Sequence, residues 1–219
     1  MLIDVVRRFK RGFGAFLLLV FVGSGTCDTT AVGAPTTLDF SEIPFQSVDD
    51  LAYAGVTFDF KVNGVDSSDA FYNSFGPGAL TYVDDPSLTG DAAGILRLDF
   101  DSPTSVINFG LALNTASALS PGFRVELFSP NLTPLGETLV DVFPTAGALG
   151  FSENRFQYSG APVSRAVIRF DLQPGNFALD NLSFQPVPEP TTFVFSTIAL
   201  LAFVFLARRS IFRLGRCGQ

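Results

Sequence analysis

Between about residues 36 and 184, apolar and polar positions alternate with a period of two. That is the repeat of a half-buried strand, not the 3.6 of a helix. Gly55-Val56-Thr57-Phe58-Asp59-Phe60 alternates, and so does Ile95-Leu96-Arg97-Leu98-Asp99-Phe100. Successive side chains of a strand point to opposite faces, so Leu96, Leu98 and Phe100 share one side and Arg97 and Asp99 the other. Residues 106–113 form a longer apolar run. Residues 123–128 and 137–142 flank Pro130, Asn131, Pro134 and Gly136, which predicts a hairpin with a long loop. Residues 155–158, 165–170 and 177–184 add strands, as do Leu38-Asp39-Phe40 and Leu80-Thr81-Tyr82-Val83, for about ten in all.

Strands at this spacing, with Gly, Pro and Asn turns between them, predict an all-β domain over residues 35–185, a two-sheet β-sandwich or jelly roll. About 150 residues suffice for one sizeable core without disulfides. The chain has 25 Phe to fill it, and its two cysteines, Cys27 and Cys217, stand near opposite ends. No disulfide framework or CxxC motif can be built from them. There is no His in the chain. That excludes Ser-His-Asp and Cys-His catalysis and imidazole zinc sites. Neither a Gly-rich phosphate loop nor a G-x-S-x-G elbow occurs.

Charge divides the chain. Between Pro35 and Pro186 there are 18 acidic and 6 basic residues, a balance of −12. Such a body repels phosphate, and nucleic-acid binding is excluded. The remaining Lys and Arg lie in the tails. Arg7, Arg8, Lys10 and Arg11 precede FGAFLLLVFV, residues 13–22, and small residues follow. This is the form of a secretory signal peptide. Ten apolar residues span about 15 Å as a helix, too short to cross a bilayer. Residues 1–34 are thus expected to be a signal helix and small-residue leader, cut after Ser24, Cys27, Ala31 or Ala34.

The other end reads PVPEPTTFVFSTIALLAFVFLARRSIFRLGRCGQ. Pro186, Pro188 and Pro190 favour an extended spacer. Residues 191–207 are uncharged and mostly apolar. Seventeen residues rise about 25 Å as a helix, the lower limit for a transmembrane span. Arg208 and Arg209 come next and set orientation by the positive-inside rule. The expected topology is body outside, with residues 213–219 as a cytoplasmic tail.

Val187-Pro188-Glu189-Pro190, the apolar helix and Arg208-Arg209 together resemble the PEP-CTERM sorting signal of exopolysaccharide-producing Gram-negative bacteria. The resemblance covers residues 186–212. It implies export, an inner-membrane intermediate and processing by an exosortase, a membrane-embedded cysteine transpeptidase-like enzyme. Val187, Pro188, Glu189 and Pro190 would be its recognition residues. The body would then reach the cell envelope or extracellular matrix. The ten residues after Arg209 depart from the usual short end of such tails. The same tail is sometimes labelled an ice-binding protein C-terminal domain, but the body lacks the regular Thr array that ice binding requires.

The body's opening, Leu38-Asp39-Phe40-Ser41-Glu42 and Tyr53-Ala54-Gly55-Val56-Thr57-Phe58, and its close, residues 177–184, are similar to exported bacterial jelly-roll domains. These have a general likeness to carbohydrate-binding modules, and their first and last strands are often neighbours. If they pair here, Asp39, Glu42, Asp180 and Asn181 converge, and their oxygens suit a structural Ca²⁺. Asp49-Asp50 and Asp84-Asp85 read as solvated turn residues. A doublet in a strand points both ways and is no glycosidase dyad. The expectation is a non-catalytic structural or adhesive protein associated with exopolysaccharide. One alternative is a Ca²⁺-dependent glycan-binding module in which Tyr53, Tyr72 or Tyr82 stacks on a sugar ring. Another is a hydrolase with two inward-facing acids about 5–9 Å apart.

Overall fold

The computed structural model describes residues 33–145, 150–172 and 175–187. The signal segment, Pro188, Glu189, Pro190, the apolar stretch 191–207 and Arg208-Arg209 lie outside these residues. Twelve strands follow one another: β1 (Thr36–Leu38), β2 (Gln46–Ser47), β3 (Leu51–Tyr53), β4 (Val56–Val62), β5 (Val65–Asp66), β6 (Ala70–Ser74), β7 (Ser87–Asp91), β8 (Gly94–Leu113), β9 (Leu119–Phe128), β10 (Pro134–Pro144), β11 (Ser152–Phe170) and β12 (Asn176–Pro186). All their pairings are antiparallel.

Two long strands organise the rest. β8 runs 20 residues and β11 runs 19. The first half of β8 pairs with β4 and with the second half of β11, which continues to β9 and β10. The second half of β8 pairs with the first half of β11 and with β12, which continues to β7, β6 and β2. Register shifts between Ser159 and Arg165 mark where β11 passes from one layer to the other. Bulges bend a strand in this way without ending it. The expectation of separate strands at 95–100 and 106–113, and at 155–158 and 165–170, is corrected: each pair is one continuous strand.

The layers meet through aromatic rings. Phe60 on β4 lies 6.0 Å from Phe177 on β12, Phe170 on β11 lies 4.1 Å from Phe177, and Phe100 on β8 lies 5.1 Å from Phe184. Leu96, Leu98 and Phe100 are buried as the alternation predicts. A buried aromatic removes 150–250 Å² from water, at about 25 cal/mol per Å², so these contacts dominate the core.

Three further differences concern short elements. β1 ends at Leu38, because Phe40 takes a left-handed backbone with φ of 61° and turns the chain. Strands β2, β3, β5, β6 and β7 are two to five residues long, and periodicity does not reveal them. Residues 80–83, expected as a strand, have no ladder partner among the described residues. Their role emerges at the candidate site.

Candidate functional site

β1 pairs with β12 in the register Leu38↔Leu182, so the first and last strands of the body are neighbours. Asp39 follows directly on β1, and Asp180 and Asn181 lie on β12. Asn181 has φ of 55°, a left-handed conformation that Asn tolerates better than most residues, and it interrupts the β8–β12 register between Asp180 and Ser183.

Residues 80–85 cross the outer face of β8 and β12 as a strap. Gly110 of β8 sits between Arg155 of β11 and Asp180 of β12. A Cβ at Gly110 would overlap the carbonyl oxygen of Tyr82, so only glycine lets the strap lie this close. Val83 and Leu80 pack there on Ala112, Ala178 and Phe151, a second small apolar cluster separate from the main core.

Side chains, not a neighbouring strand, take up the strap's amides. Glu153, which is buried, accepts the Thr81 N–H on Oε1 and the Tyr82 N–H on Oε2, both at 2.8 Å. Asp180, also buried, accepts the Asp84 N–H on Oδ2 at 2.9 Å and the Asn181 N–H on Oδ1 at 2.6 Å. The Asn181 amide donates to the Tyr82 carbonyl at 3.2 Å. Asp85 accepts Gly76 N–H at 2.9 Å and Gly78 N–H at 3.0 Å, which ties the strap to the preceding loop. The Arg155 guanidinium stands 5.7 Å over the Tyr82 ring. Leu80 and Val83, three residues apart, share one apolar cluster and the Leu80 N–H donates to the Val83 carbonyl at 2.8 Å, so residues 80–83 form a bend and not the expected strand, with the Thr81 and Tyr82 donors on Glu153.

Between the strap, the β1 exit and β12 lies a cleft of about 370 Å³, lined by Asp39, Ser41, residues 80–86, Asp180 and Asn181. Its lining is mostly polar. Burial pushes the Asp180 carboxyl up to about 6. The Asp84 and Asn181 amides pull the other way, and the charges of Asp39 and Asp84 add to the rise. Asp39 is held below the usual carboxylate range by the Ser41 hydroxyl and amide.

The fold thus brings Asp39, Asp180 and Asn181 to one cleft. Glu42 is engaged elsewhere: it accepts the Asp39 N–H at 2.9 Å and the Tyr72 hydroxyl at 2.5 Å. Tyr72 is fully buried, so the expectation that it stacks on a sugar ring is corrected. Burial and then Glu42 raise its phenol above the ordinary range. Tyr53 is half-buried with its ring edge-on to Tyr72, and Tyr82 is half-buried at the cleft. Val187 donates its N–H to the Pro103 carbonyl at 2.7 Å. Asp84, Asp85, Glu153 and Gly110 were not foreseen as site residues. Gly110, alone inside an apolar run, carried the signal of a close backbone approach.

No protein-family model matches the chain. No curated protein matches it either. Several solved structures do. A family 29 carbohydrate-binding module from Piromyces equi is 10% identical, over 70% of this chain and 91% of its own, with a TM-score of 0.37. The K2 cleaved adhesin domain of Lys-gingipain is 12% identical over 69% and 97%, at 0.40. A carbohydrate-binding module of family 28, specific for non-crystalline cellulose, is 14% identical over 48% and 79%, at 0.33. At these identities and scores the likenesses carry nothing about a ligand.

Proposed function

We propose that this is an exported, non-catalytic β-sandwich protein that binds polysaccharide in the cleft beside Asp39 and Asp180. The observation that carries the reading is the set of polar groups at that cleft. Asp39, Ser41, Thr81 and Asp84 present carboxylate and hydroxyl oxygens, and Asn181 its amide oxygen, around about 370 Å³. Sugar hydroxyls donate to carboxylates and to amide oxygens, and charged acceptors make the stronger hydrogen bonds. The strap that carries Thr81 and Asp84 is held by buried carboxylates, so the groups are positioned before a ligand arrives. The balance of −12 over the body favours neutral glycans over acidic ones.

Affinity electrophoresis of the full chain, in detergent, through gels holding neutral polysaccharides tests this reading. Retardation by at least one of them, reduced about tenfold in affinity by Asp84→Asn, is expected. Absence of retardation by any polysaccharide, or retardation that Asp84→Asn and Asp39→Asn leave unchanged, overturns it.

One observation favours a second reading, the Ca²⁺-dependent module: Asp39, Asp84 and Asp180 line the same cleft, and their carboxylate oxygens suit that ion. Retardation that disappears with chelator and fails again in Asp39→Asn would select it.

Delivery belongs to the tail. Export through residues 1–34, with exosortase recognition of Val187, Pro188, Glu189 and Pro190 and orientation by Arg208 and Arg209, places the body in the envelope or the extracellular matrix. A tag inside the body, followed in hosts with and without an exosortase, tests this. Loss of the C-terminal segment only in the exosortase host is expected. A product that keeps it in both hosts makes the chain a simple anchored protein.

A further inference from the structure

A second acidic group lies apart from the cleft. Asp49 and Asp50 form the turn between β2 and β3, and Asp59 lies on β4. One carboxylate oxygen from each can be chosen so that all lie within 4.8 Å of one another. Asp59 is only 2% exposed. Its Oδ2 meets Arg97 Nη2 at 2.5 Å, across the register pair Asp59↔Arg97. Its Oδ1 is buried and has no hydrogen-bond partner among the described residues. The Lys61 ammonium stands 3.6 Å from that oxygen, beyond hydrogen-bonding reach, and is itself bonded to Asp66. An orphaned carboxylate oxygen in the interior is costly, and native structures seldom leave one without a reason.

Charge in the neighbourhood points the same way. Asp49, Asp50, Asp59, Asp66 and Asp99 face Lys61, Arg97 and Arg165, five acids against three bases. Two negative charges remain, the charge of one divalent cation. Asp49 accepts the Phe60 N–H at a long 3.4 Å.

We propose that Asp49, Asp50 and Asp59 bind one Ca²⁺, which pins the turn before β3 to β4. The donors are all carboxylate oxygens, which suit hard cations and not zinc or copper. Ca²⁺ takes ligands at about 2.3–2.6 Å, so oxygens on opposite sides of the ion stand about 5 Å apart, and waters reach the site past Asp50, which is exposed. Mg²⁺ demands about 2.0–2.1 Å and a strict octahedron, a poorer match to a turn joined to a strand.

The test is calorimetric titration of CaCl₂, with MgCl₂ in parallel, into the chelator-stripped full chain in detergent. One Ca²⁺ site with a dissociation constant of about 10⁻⁴–10⁻³ M is expected, the range of exterior modules. Asp50→Asn removes a ligand charge from an exposed position and should weaken binding at least tenfold. Lys61→Met removes the cation that competes for Asp59 Oδ1 and should strengthen binding several-fold, a change of sign that a merely structural lysine would not produce. Asp84→Asn in the cleft should leave it unchanged. The proposal fails if 10 mM CaCl₂ gives no binding heat, if Asp50→Asn binds as the parent does, or if Asp84→Asn abolishes the signal, which would move the ion to the cleft. Equal affinity for Mg²⁺ would overturn the choice of ion.

Discussion

The strap over Gly110 and the turn at Asp49-Asp50 are both built on buried carboxylates, and they handle the buried charge in opposite ways. Glu153 and Asp180 have each oxygen on a backbone N–H. Asp59 has one oxygen on Arg97 and the other, among the described residues, on nothing within hydrogen-bonding reach. A buried acid satisfied by amides clamps a segment that no neighbouring strand supports. A buried acid with a bare oxygen, in a net negative neighbourhood, is poised for a cation. The number of acids does not distinguish the two places; the partners of their oxygens do.

The sharpest way to break the strap is to fill the space under it. Gly110→Ala places a methyl against the Tyr82 carbonyl, and the strap must lift. Overpacking costs of this kind reach about 3 kcal/mol. For a chain of this size the melting point should fall by roughly 6–12 °C. Glycan retardation should go with it. An unchanged melting point would show that residues 80–85 rest on Gly110 only loosely.

Removing a clamp should come next. Glu153→Ala strands the amides of Thr81 and Tyr82, and hydrogen bonds to a charged group are worth about 1.5–3 kcal/mol. A loss of about 2 kcal/mol in thermal or denaturant unfolding is expected. In a double-mutant cycle with Asp180→Ala the losses should not add, because both acids hold the same segment. Strict additivity would mean that the strap is two independent pieces.

Much of this architecture was legible in the sequence. The alternation placed Leu96, Leu98 and Phe100 in the core, and the segment 130–136 marked the β9–β10 hairpin. The pairing of β1 with β12 brought Asp39, Asp180 and Asn181 together as their positions near the ends of the body suggested. Residues 80–83 show where the pattern stops being informative. Their alternation predicts a strand, but Leu80 and Val83 share one apolar cluster, and whether the Thr81 and Tyr82 amides meet a strand or a carboxylate depends on Glu153, some 70 residues away. Glu42 was misplaced for a similar reason. The hydroxyl it meets belongs to Tyr72, which the chain buries 30 residues on.

A subtler test uses pH. The folded Asp180 carboxyl titrates at about 6 against an ordinary value of 3.8. Between those values the folded chain holds a proton that the unfolded chain has released. Stability at this group therefore rises as pH falls from about 7 to about 4, at up to roughly 1.4 kcal/mol per pH unit. Asp39, held low, works the other way, and only near and below its own ordinary range. Asp180→Asn should flatten the melting-point profile in the upper window. A profile identical to the parent's would place the titration elsewhere.

The smallest effect on stability should come from the residue that matters most for binding. Asp84 is exposed, and its contribution to the strap is its backbone N–H, which any residue but proline retains. Its side chain touches only the next amide, Asp85 N–H, at 2.9 Å. Asp84→Asn should therefore move unfolding by less than about 0.5 kcal/mol. The same change removes a charged acceptor from the cleft, where a hydrogen bond to a charged group is worth about 1.5–3 kcal/mol, so glycan affinity should fall about tenfold. Asp50→Asn in the other acidic group should do the reverse, leaving glycan affinity as it was and weakening Ca²⁺. If each variant disturbs only its own ligand, the two acidic groups are separate devices. If Asp84→Asn also weakens Ca²⁺, the cleft holds the ion, and the bare oxygen of Asp59 is answered by Lys61 alone.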